Sequence, residues 1–425
     1  MNKQEKTELS RPNLTHNVAA LALVQVLGYI LPFITLPYVT RTLGPEVWGK
    51  VAFVSGFVGY FGLIIGWGFG ISAVRKIAAC RDDSESYSRI LFAGWGAQVI
   101  IFVFCFLLYF IIINTFAFFK QDYEYYLWGG GSLVASIVFP GWFLNGMERI
   151  KELATVQILI RLLSVPMTFL LVRDVADGYM LLVIAFLTSV TAGVATLVWC
   201  KANLPIQWKL PSFKDIKSEI LEGSTIFFST LSISIYISLI PTVLGVLSGH
   251  TSLAYFTLAD RIKTVVQGGL SPLSQALFPR LSSLFASDQQ SARRLLKKSS
   301  IIMVGLAFFG SLSVWVSADL IVSLLGGKNF SESVLVLRWL SFVPFVVVLS
   351  NIFGIQIMMP LQMKREFNMV LFSASALSLT IMYPLIISYG AAGAAANILL
   401  VELFVTSAMA IVLWKKNFFV KVVKK

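Results

Sequence analysis

Apolar stretches long enough to cross a membrane recur from one end of the chain to the other, separated by short polar or basic segments. A helix needs about 20 apolar residues to span the hydrocarbon core of a bilayer. Read that way, the pattern predicts spans at 17–39, 47–71, 90–113, 126–147, 153–172 and 178–199, then at 224–247, 252–278, 299–325, 333–359, 367–389 and 391–413. The expected fold is all-α: a polytopic membrane protein of twelve transmembrane helices. The longest break, Lys201–Gly223, falls near the chain midpoint and holds Pro205, Pro211 and mixed charges. It reads as a cytoplasmic linker with a short surface helix, between an N-terminal six-helix lobe (1–200) and a C-terminal six-helix lobe (224–425). A short internal echo goes with this division. Pro37-x-Val39-x-x-x-Leu43 and Pro241-x-Val243-x-x-x-Leu247 each close the first span of a lobe. Two lobes around a central cavity, related by an axis along the membrane normal, are one way alternating-access transporters are built.

Several spans carry breaks or small faces. Pro32, Pro37, Pro140, Pro166, Pro241, Pro272, Pro344 and Pro384 fall inside or at the edges of spans. Each removes a backbone donor and crowds the preceding turn, which makes it either an ordinary membrane-helix kink or a hinge. Span two places Gly56, Gly59, Gly62, Gly66 and Gly70 three or four residues apart, a stripe expected to permit close helix–helix contact.

Composition agrees with the pattern. The 425 residues are 57% hydrophobic and 13% charged, with a mean hydropathy of +0.81, too little charge to cover a soluble protein of this size. The net charge of +13 would suggest a nucleic-acid partner in a soluble protein. Here its placement gives another explanation. Lys3, Lys6, Arg11, Arg75, Lys76, Arg81, Arg89, Arg149, Lys151, Lys201, Lys209, Lys214 and Lys217 fall in one alternating set of loops. Arg280, Arg293, Arg294, Lys297, Lys298, Lys364, Arg365, Lys415, Lys416, Lys421, Lys424 and Lys425 continue it. The opposite set holds only Arg41, Lys50, Lys120, Arg173, Lys328 and Arg338. By the positive-inside rule both termini face the cytoplasm, and no nucleic acid is called for. Met1–Asn17 is polar and precedes a full-length span, so no cleaved leader is expected. Cys80, Cys105 and Cys200 form no CxxC, and His16 and His250 are isolated, so neither disulfides nor a metal site are expected.

Candidate chemistry concentrates in Leu253–Pro272, a spanning helix with an acid and two bases near its middle. At 1.5 Å per residue, Asp260 lies about 12–15 Å in from the His250 turn, near a bilayer midplane. A charge there costs roughly 2.5–3.5 kcal/mol on insertion scales, so these groups need partners, water or a polar ligand. Asp260, Lys263, Thr264 and Gln267 share one helix face, and Arg261 is turned about 100° away. Arg161 in span five and Glu402 in span twelve are the other intramembrane ionisable groups. The plainer alternatives are a snorkelling Arg161, a protonated packing Glu402 and an internal Asp260–Lys263 pair, which still leaves Arg261 over. Three bases against two acids predict a net positive interior suited to an anionic ligand, with Asp260 and Glu402 as acids able to titrate or accept sodium. Enzyme signatures are missing: no GxxxxGK[ST], no HExxH, no extramembrane domain to hold a catalytic site, and Asp82-Asp83 reads as a solvated loop.

Arg41-Thr42-Leu43-Gly44-Pro45-Glu46-Val47-Trp48-Gly49 and Gly66-Trp67-Gly68-Phe69-Gly70-Ile71-Ser72-Ala73-Val74-Arg75-Lys76-Ile77-Ala78 resemble the opening of bacterial polysaccharide transporters. Phe139-Pro140-Gly141-Trp142-Phe143-Leu144-Asn145-Gly146-Met147-Glu148 resembles that family's span-four closing motif. Ala259-Asp260-Arg261-Ile262-Lys263, with Leu277-Phe278-Pro279-Arg280-Leu281-Ser282, is similar to its span-eight signature. The resemblance covers nearly the whole chain and is to the polysaccharide transporter (O-antigen flippase) family of the multidrug/oligosaccharidyl-lipid/polysaccharide exporter superfamily. It implies two six-helix bundles in the bacterial inner membrane that move undecaprenyl-diphosphate-linked oligosaccharide from the cytoplasmic to the periplasmic leaflet. It also implies ion-coupled alternating access driven by a proton or sodium gradient, with no other cofactor, and partners among the polysaccharide-assembly proteins. Lipid II flippases usually have two further spans, which this chain lacks.

On this expectation Arg261, Lys263, Arg161, Arg41 and Gln267 bind substrate, with Arg41 guarding the periplasmic mouth, and Asp260 and Glu402 couple ions. Fixed cations in a low-dielectric site suit a diphosphate, which Arg can bind through two parallel hydrogen bonds. Two rivals remain at this stage. A drug/cation exporter of the same superfamily would be expected to have an acid-dominated cavity, and a membrane polysaccharide polymerase would need a large ordered outside loop. The orientation is directly testable. A fluorescent protein fused after Lys425 should fluoresce while an alkaline phosphatase fusion there stays inactive; the opposite pair of results contradicts the cytoplasmic assignment.

Overall fold

The computed structural model describes residues 14–138 and 141–416, and for residues 14–30, 32, 150, 229–238 and 276 the backbone alone. Lys3, Lys6, Arg11, Phe139, Pro140, Lys421, Lys424 and Lys425 lie outside the described residues, as do the side chains of His16 and Pro32. Among the described residues the chain is helical with no strands, as expected where lipid offers the backbone no hydrogen bonds. The helices are α1 (Leu14–Gly66), α2 (Phe69–Ala79), α3 (Ser84–Thr115), α4 (Ala117–Lys120), α5 (Tyr123–Val138), α6 (Gly141–Gly146), α7 (Ile150–Leu171) and α8 (Met180–Asn203). After them come α9 (Phe213–Ser287), α10 (Gln289–Val316), α11 (Ala318–Leu325), α12 (Ser333–Ser341), α13 (Val343–Asn351) and α14 (Lys364–Lys415).

Three of these are too long to be single spans, and a left-handed glycine divides each. Gly44 (φ 69°), Gly249 (φ 82°) and Gly390 (φ 53°) interrupt α1, α9 and α14. Only glycine adopts that backbone without a Cβ penalty, so each marks a helix-to-helix turn. All three fall at boundaries the hydrophobic pattern predicts. Among the described residues nine segments are long and apolar enough to cross a membrane, and three of the nine contain these turns, which is consistent with twelve spans. Aspartates start two of the others. Asp83 accepts from the amides of Glu85 and Ser86, and Asp288 from those of Gln290 and Ser291. Asp83 therefore caps α3 rather than sitting idle in a charged loop. Its hydrogen bonds from Ser86 hold its carboxyl below the usual range.

Two further departures are local. Span two breaks at Trp67 (φ 40°) and Gly68 (φ 77°). No separate surface helix lies in Lys201–Gly223: residues 205–212 are irregular, and α9 starts at Phe213 and runs straight into the seventh span. Its first turns bear polar residues on one side and apolar ones on the other, so nothing ends the helix at the membrane edge.

The chain forms two compact units. The first comprises the segment up to Thr35, Phe57–Arg173 and Tyr179–Thr230. Its interior is aromatic: Phe57, Phe61, Tyr109, Phe119 and Tyr126 pack ring to ring, and the Tyr109 hydroxyl donates to the Tyr126 carbonyl. Trp142 Nε1 donates to the buried Gln98 Oε1 at 3.0 Å. Trp67 stacks on Phe227 at 4.5 Å and donates to the Ile220 carbonyl at 2.8 Å, and Lys76 pairs with Glu219 and Glu222. The second unit comprises Leu36–Gly56, Asp174–Gly178 and Leu231–Lys425. Its core joins α10, α13 and α14 through Met303, Ala307, Val348, Ile352, Ala374, Val405 and Met409. Ser378 and Asn397 bond to one another inside it.

Close helix contact does occur, but not along the glycine stripe of span two. Nothing among the described residues lies within 4 Å of a Cβ built on Gly56, Gly59, Gly66 or Gly70, and Gly62 meets only Ser136 Oγ at 3.9 Å. Instead the backbone approaches elsewhere. A Cβ on Gly49 would stand 1.8 Å from the His250 carbonyl oxygen, and one on Gly393 would stand 1.9 Å from that of Leu385. Small residues at regular spacing permit approach, but the neighbouring helix decides which of them is used. Gly49→Ala should therefore destabilise the protein by about 2 kcal/mol or more, because backbone must move. Gly56→Ala should be neutral or slightly stabilising. Thermal unfolding of the two purified variants checks this, and equal melting points would contradict it.

Candidate functional site

The second unit gathers the ionisable residues of span eight around the part of α9 that follows the Gly249 turn. Lys263 Nζ bonds to Asp260 one helical turn earlier. Their side chains keep 12% and 35% of their surface, so the lysine is the more enclosed partner. Glu402, half-buried on α14, acts electrostatically on the same lysine. One ammonium is therefore bonded to one carboxylate and within electrostatic range of a second, on another helix. Thr264 donates its hydroxyl back to the Asp260 carbonyl at 2.8 Å, while its side chain stays exposed. Gln267 is half-buried on the same stripe, one turn further on.

Arg261 is treated differently. Its guanidinium lies over the indole of Trp48, 4.7 Å from the ring centroid. Asp260 acts on it electrostatically, but among the described residues no acceptor comes within hydrogen-bond reach of it. Arg261 is exposed among the described residues, with the Trp48 ring packed against one side of its guanidinium. A cation without a protein acceptor at membrane depth is stabilised by water or by an anion.

The remaining candidates sit elsewhere. Arg41 is exposed, and its Nη2 donates to the Leu324 carbonyl at 2.9 Å, beside Thr40 Oγ1 on the Leu325 carbonyl at 2.6 Å. Both bonds satisfy orphan carbonyls at the end of α11, a task that basic side chains commonly perform. Arg161 is exposed near the middle of α7 and belongs to the first unit. Within the second unit the span-eight cluster holds Arg261 and Lys263 with Asp260 and Glu402, and the third expected base, Arg161, belongs to the first unit. Among the described residues no group of three His, Cys, Asp or Glu side chains could hold a metal, and the three cysteines are free.

Trp48 was not among the candidates. It lies in the Arg41–Gly49 motif, 213 positions from Arg261 in sequence, and no spacing rule connects the two.

A family model described as "Polysaccharide biosynthesis protein" matches residues 14–285. A protein of Escherichia coli (strain K12) named "Putative O-antigen transporter" is 32% identical over 403 residues, covering 93% of this chain and 96% of the relative. The chain belongs to the polysaccharide biosynthesis protein family. A second relative, of the same name, from Shigella dysenteriae, is 26% identical over 399 residues, covering 92% of this polysaccharide biosynthesis protein and 98% of that one. The fold is similar to that of the lipid II flippase MurJ in an inward closed conformation, with a TM-score of 0.70 at 12% identity, covering 95% of this chain and 89% of that one. It is also similar to a multidrug resistance MATE family transporter of the MOP superfamily in an inward-facing conformation, with a TM-score of 0.67 at 15% identity over 95% and 99% of the two chains.

The Asp260–Lys263 geometry generates a prediction for this polysaccharide biosynthesis protein. Removing one partner leaves the other charge half-buried, whereas removing both does not. Asp260→Asn and Lys263→Met should each lower stability by about 1–2 kcal/mol, after discounting for the solvent that reaches Asp260. The double variant should recover part of that loss. Unfolding of the four proteins in detergent measures the coupling, and strictly additive effects would contradict it.

Proposed function

We propose that this protein moves undecaprenyl-diphosphate-linked oligosaccharide, an O-antigen-type repeat unit, from the cytoplasmic to the periplasmic leaflet of the bacterial inner membrane. The names of its relatives support transport rather than catalysis, and O-antigen as the class of cargo. The observation that carries the reading at residue level is Arg261: a guanidinium in a mostly apolar spanning helix, beside the Asp260–Lys263 pair, with its donors uncommitted among the described residues. A diphosphate is the part of the proposed cargo that such a group recognises, because planar donors match phosphate oxygens in pairs. In this reading Arg161 adds positive charge along the route, Lys263 does so when Asp260 is protonated or releases it, and Gln267 offers hydrogen bonds to sugars. Arg41 fastens the predicted periplasmic end instead of touching cargo. Transport proceeds by alternating access, with Asp260 and Glu402, which share Lys263, as the acids through which a proton or sodium gradient acts.

Deletion of the gene should trap single lipid-linked repeat units on the inner leaflet and abolish surface polysaccharide. Arg261→Ala, supplied in that strain at normal membrane abundance, should restore less than about a tenth of the polysaccharide, the loss expected for one charge-assisted contact. Full restoration by Arg261→Ala would remove the arginine from the mechanism. Extended glycan chains, in place of trapped single units, would contradict flipping altogether.

A further inference from the structure

The arrangement around Arg261 has a second half. Trp48 is 5% exposed, lies four residues beyond the Gly44 turn, and carries the ring on which the guanidinium rests. Its indole N–H is buried with no acceptor among the described residues, so packing rather than a hydrogen bond fixes the ring. That packing is firm on both sides. Gly49, next in the chain, brings its backbone onto the His250 carbonyl, and Phe53 one turn later sits edge-on to the His250 ring at 5.4 Å. On the preceding side Thr40 and Arg41 bond to the Leu325 and Leu324 carbonyls.

We propose that Trp48 is a positioning residue for anion binding, holding Arg261 by its π face so that the guanidinium donors stay free for a phosphorylated headgroup. A carboxylate facing Arg261 would take two of its N–H groups and cancel its charge, as Asp260 does for Lys263. An aromatic face attracts the cation electrostatically and orients its plane, yet accepts none of the N–H groups that lie in that plane. The inference rests on the assignment of Arg261 to the diphosphate and goes beyond it by naming what presents the arginine.

The test uses the full-length protein in lipid nanodiscs, with inorganic pyrophosphate as the probe and isothermal titration as the readout. Wild type should bind pyrophosphate and Arg261→Ala should not. Trp48→Leu should bind about ten-fold more weakly, the loss of one desolvated cation–π contact, and Trp48→Phe should fall in between. Tryptophans carrying one, two or three ring fluorines, introduced at position 48 alone, keep the shape while weakening the negative face step by step. Affinity should fall in the same steps at an unchanged melting temperature. A packing role would not produce that series, and it stays decisive if Trp48→Leu fails to fold. Undiminished affinity across the fluorinated proteins, with Arg261→Ala inactive, overturns the role of Trp48 and leaves that of Arg261 standing. Absence of pyrophosphate binding by wild type, or its survival in Arg261→Ala, overturns both.

Discussion

A full positive charge inside an apolar molecule has to be answered by something, and this protein answers its two span-eight bases in different ways. Lys263 is neutralised locally by Asp260 and approached by Glu402 from α14. Arg261 receives a π face, which orients it without neutralising it. The cluster holds as many acids as bases, so its chemistry does not come from a surplus of charge. It comes from which charge is already committed. A lysine between carboxylates is suited to exchanging a cation, and an arginine on an indole is suited to meeting an anion.

The scaffold makes that division possible by bringing a distant stretch of chain into the second unit. Leu36–Gly56 surrounds the Gly44 turn and packs among residues that follow Leu231. Its ties are polar at one end, where Thr40 and Arg41 cap α11, and steric at the other, where Gly49 lets two backbones touch at His250. Trp48 stands between those two anchors. Arg41, expected to guard the periplasmic mouth, lies in the same stretch and donates to the end of α11.

Much of this architecture was legible in the chain. Uninterrupted apolar stretches announce spans because a lipid-exposed backbone has no other way to satisfy its hydrogen bonds. The turns at Gly44, Gly249 and Gly390 fall between predicted spans because only glycine reverses the helix so tightly there. The polar stripe of Asp260, Lys263 and Thr264 follows from helical geometry alone. What escaped the reading has a common cause. A helix's own period tells which residues share a face, and not which helix will lie against it. For that reason the glycine stripe of span two was expected to pack and faces open space, whereas Gly49 bears the closest contact. Trp48 was visible only as a letter in a motif, since its partner lies in another span. The surface helix expected in Lys201–Gly223 merged with α9 because no proline follows Phe213 before the membrane and Gly223 keeps helical backbone.

The central claim is that the position of Arg261 is wet and open to an anion within the membrane-embedded part of the protein. Arg261→Cys, in a background where Cys80, Cys105 and Cys200 are replaced by serine, places a reporter there. The account predicts that a charged, membrane-impermeant thiol reagent modifies it in nanodiscs and that pyrophosphate slows the modification. A thiol that reacts only with lipid-soluble reagents, at a rate pyrophosphate leaves unchanged, would contradict it.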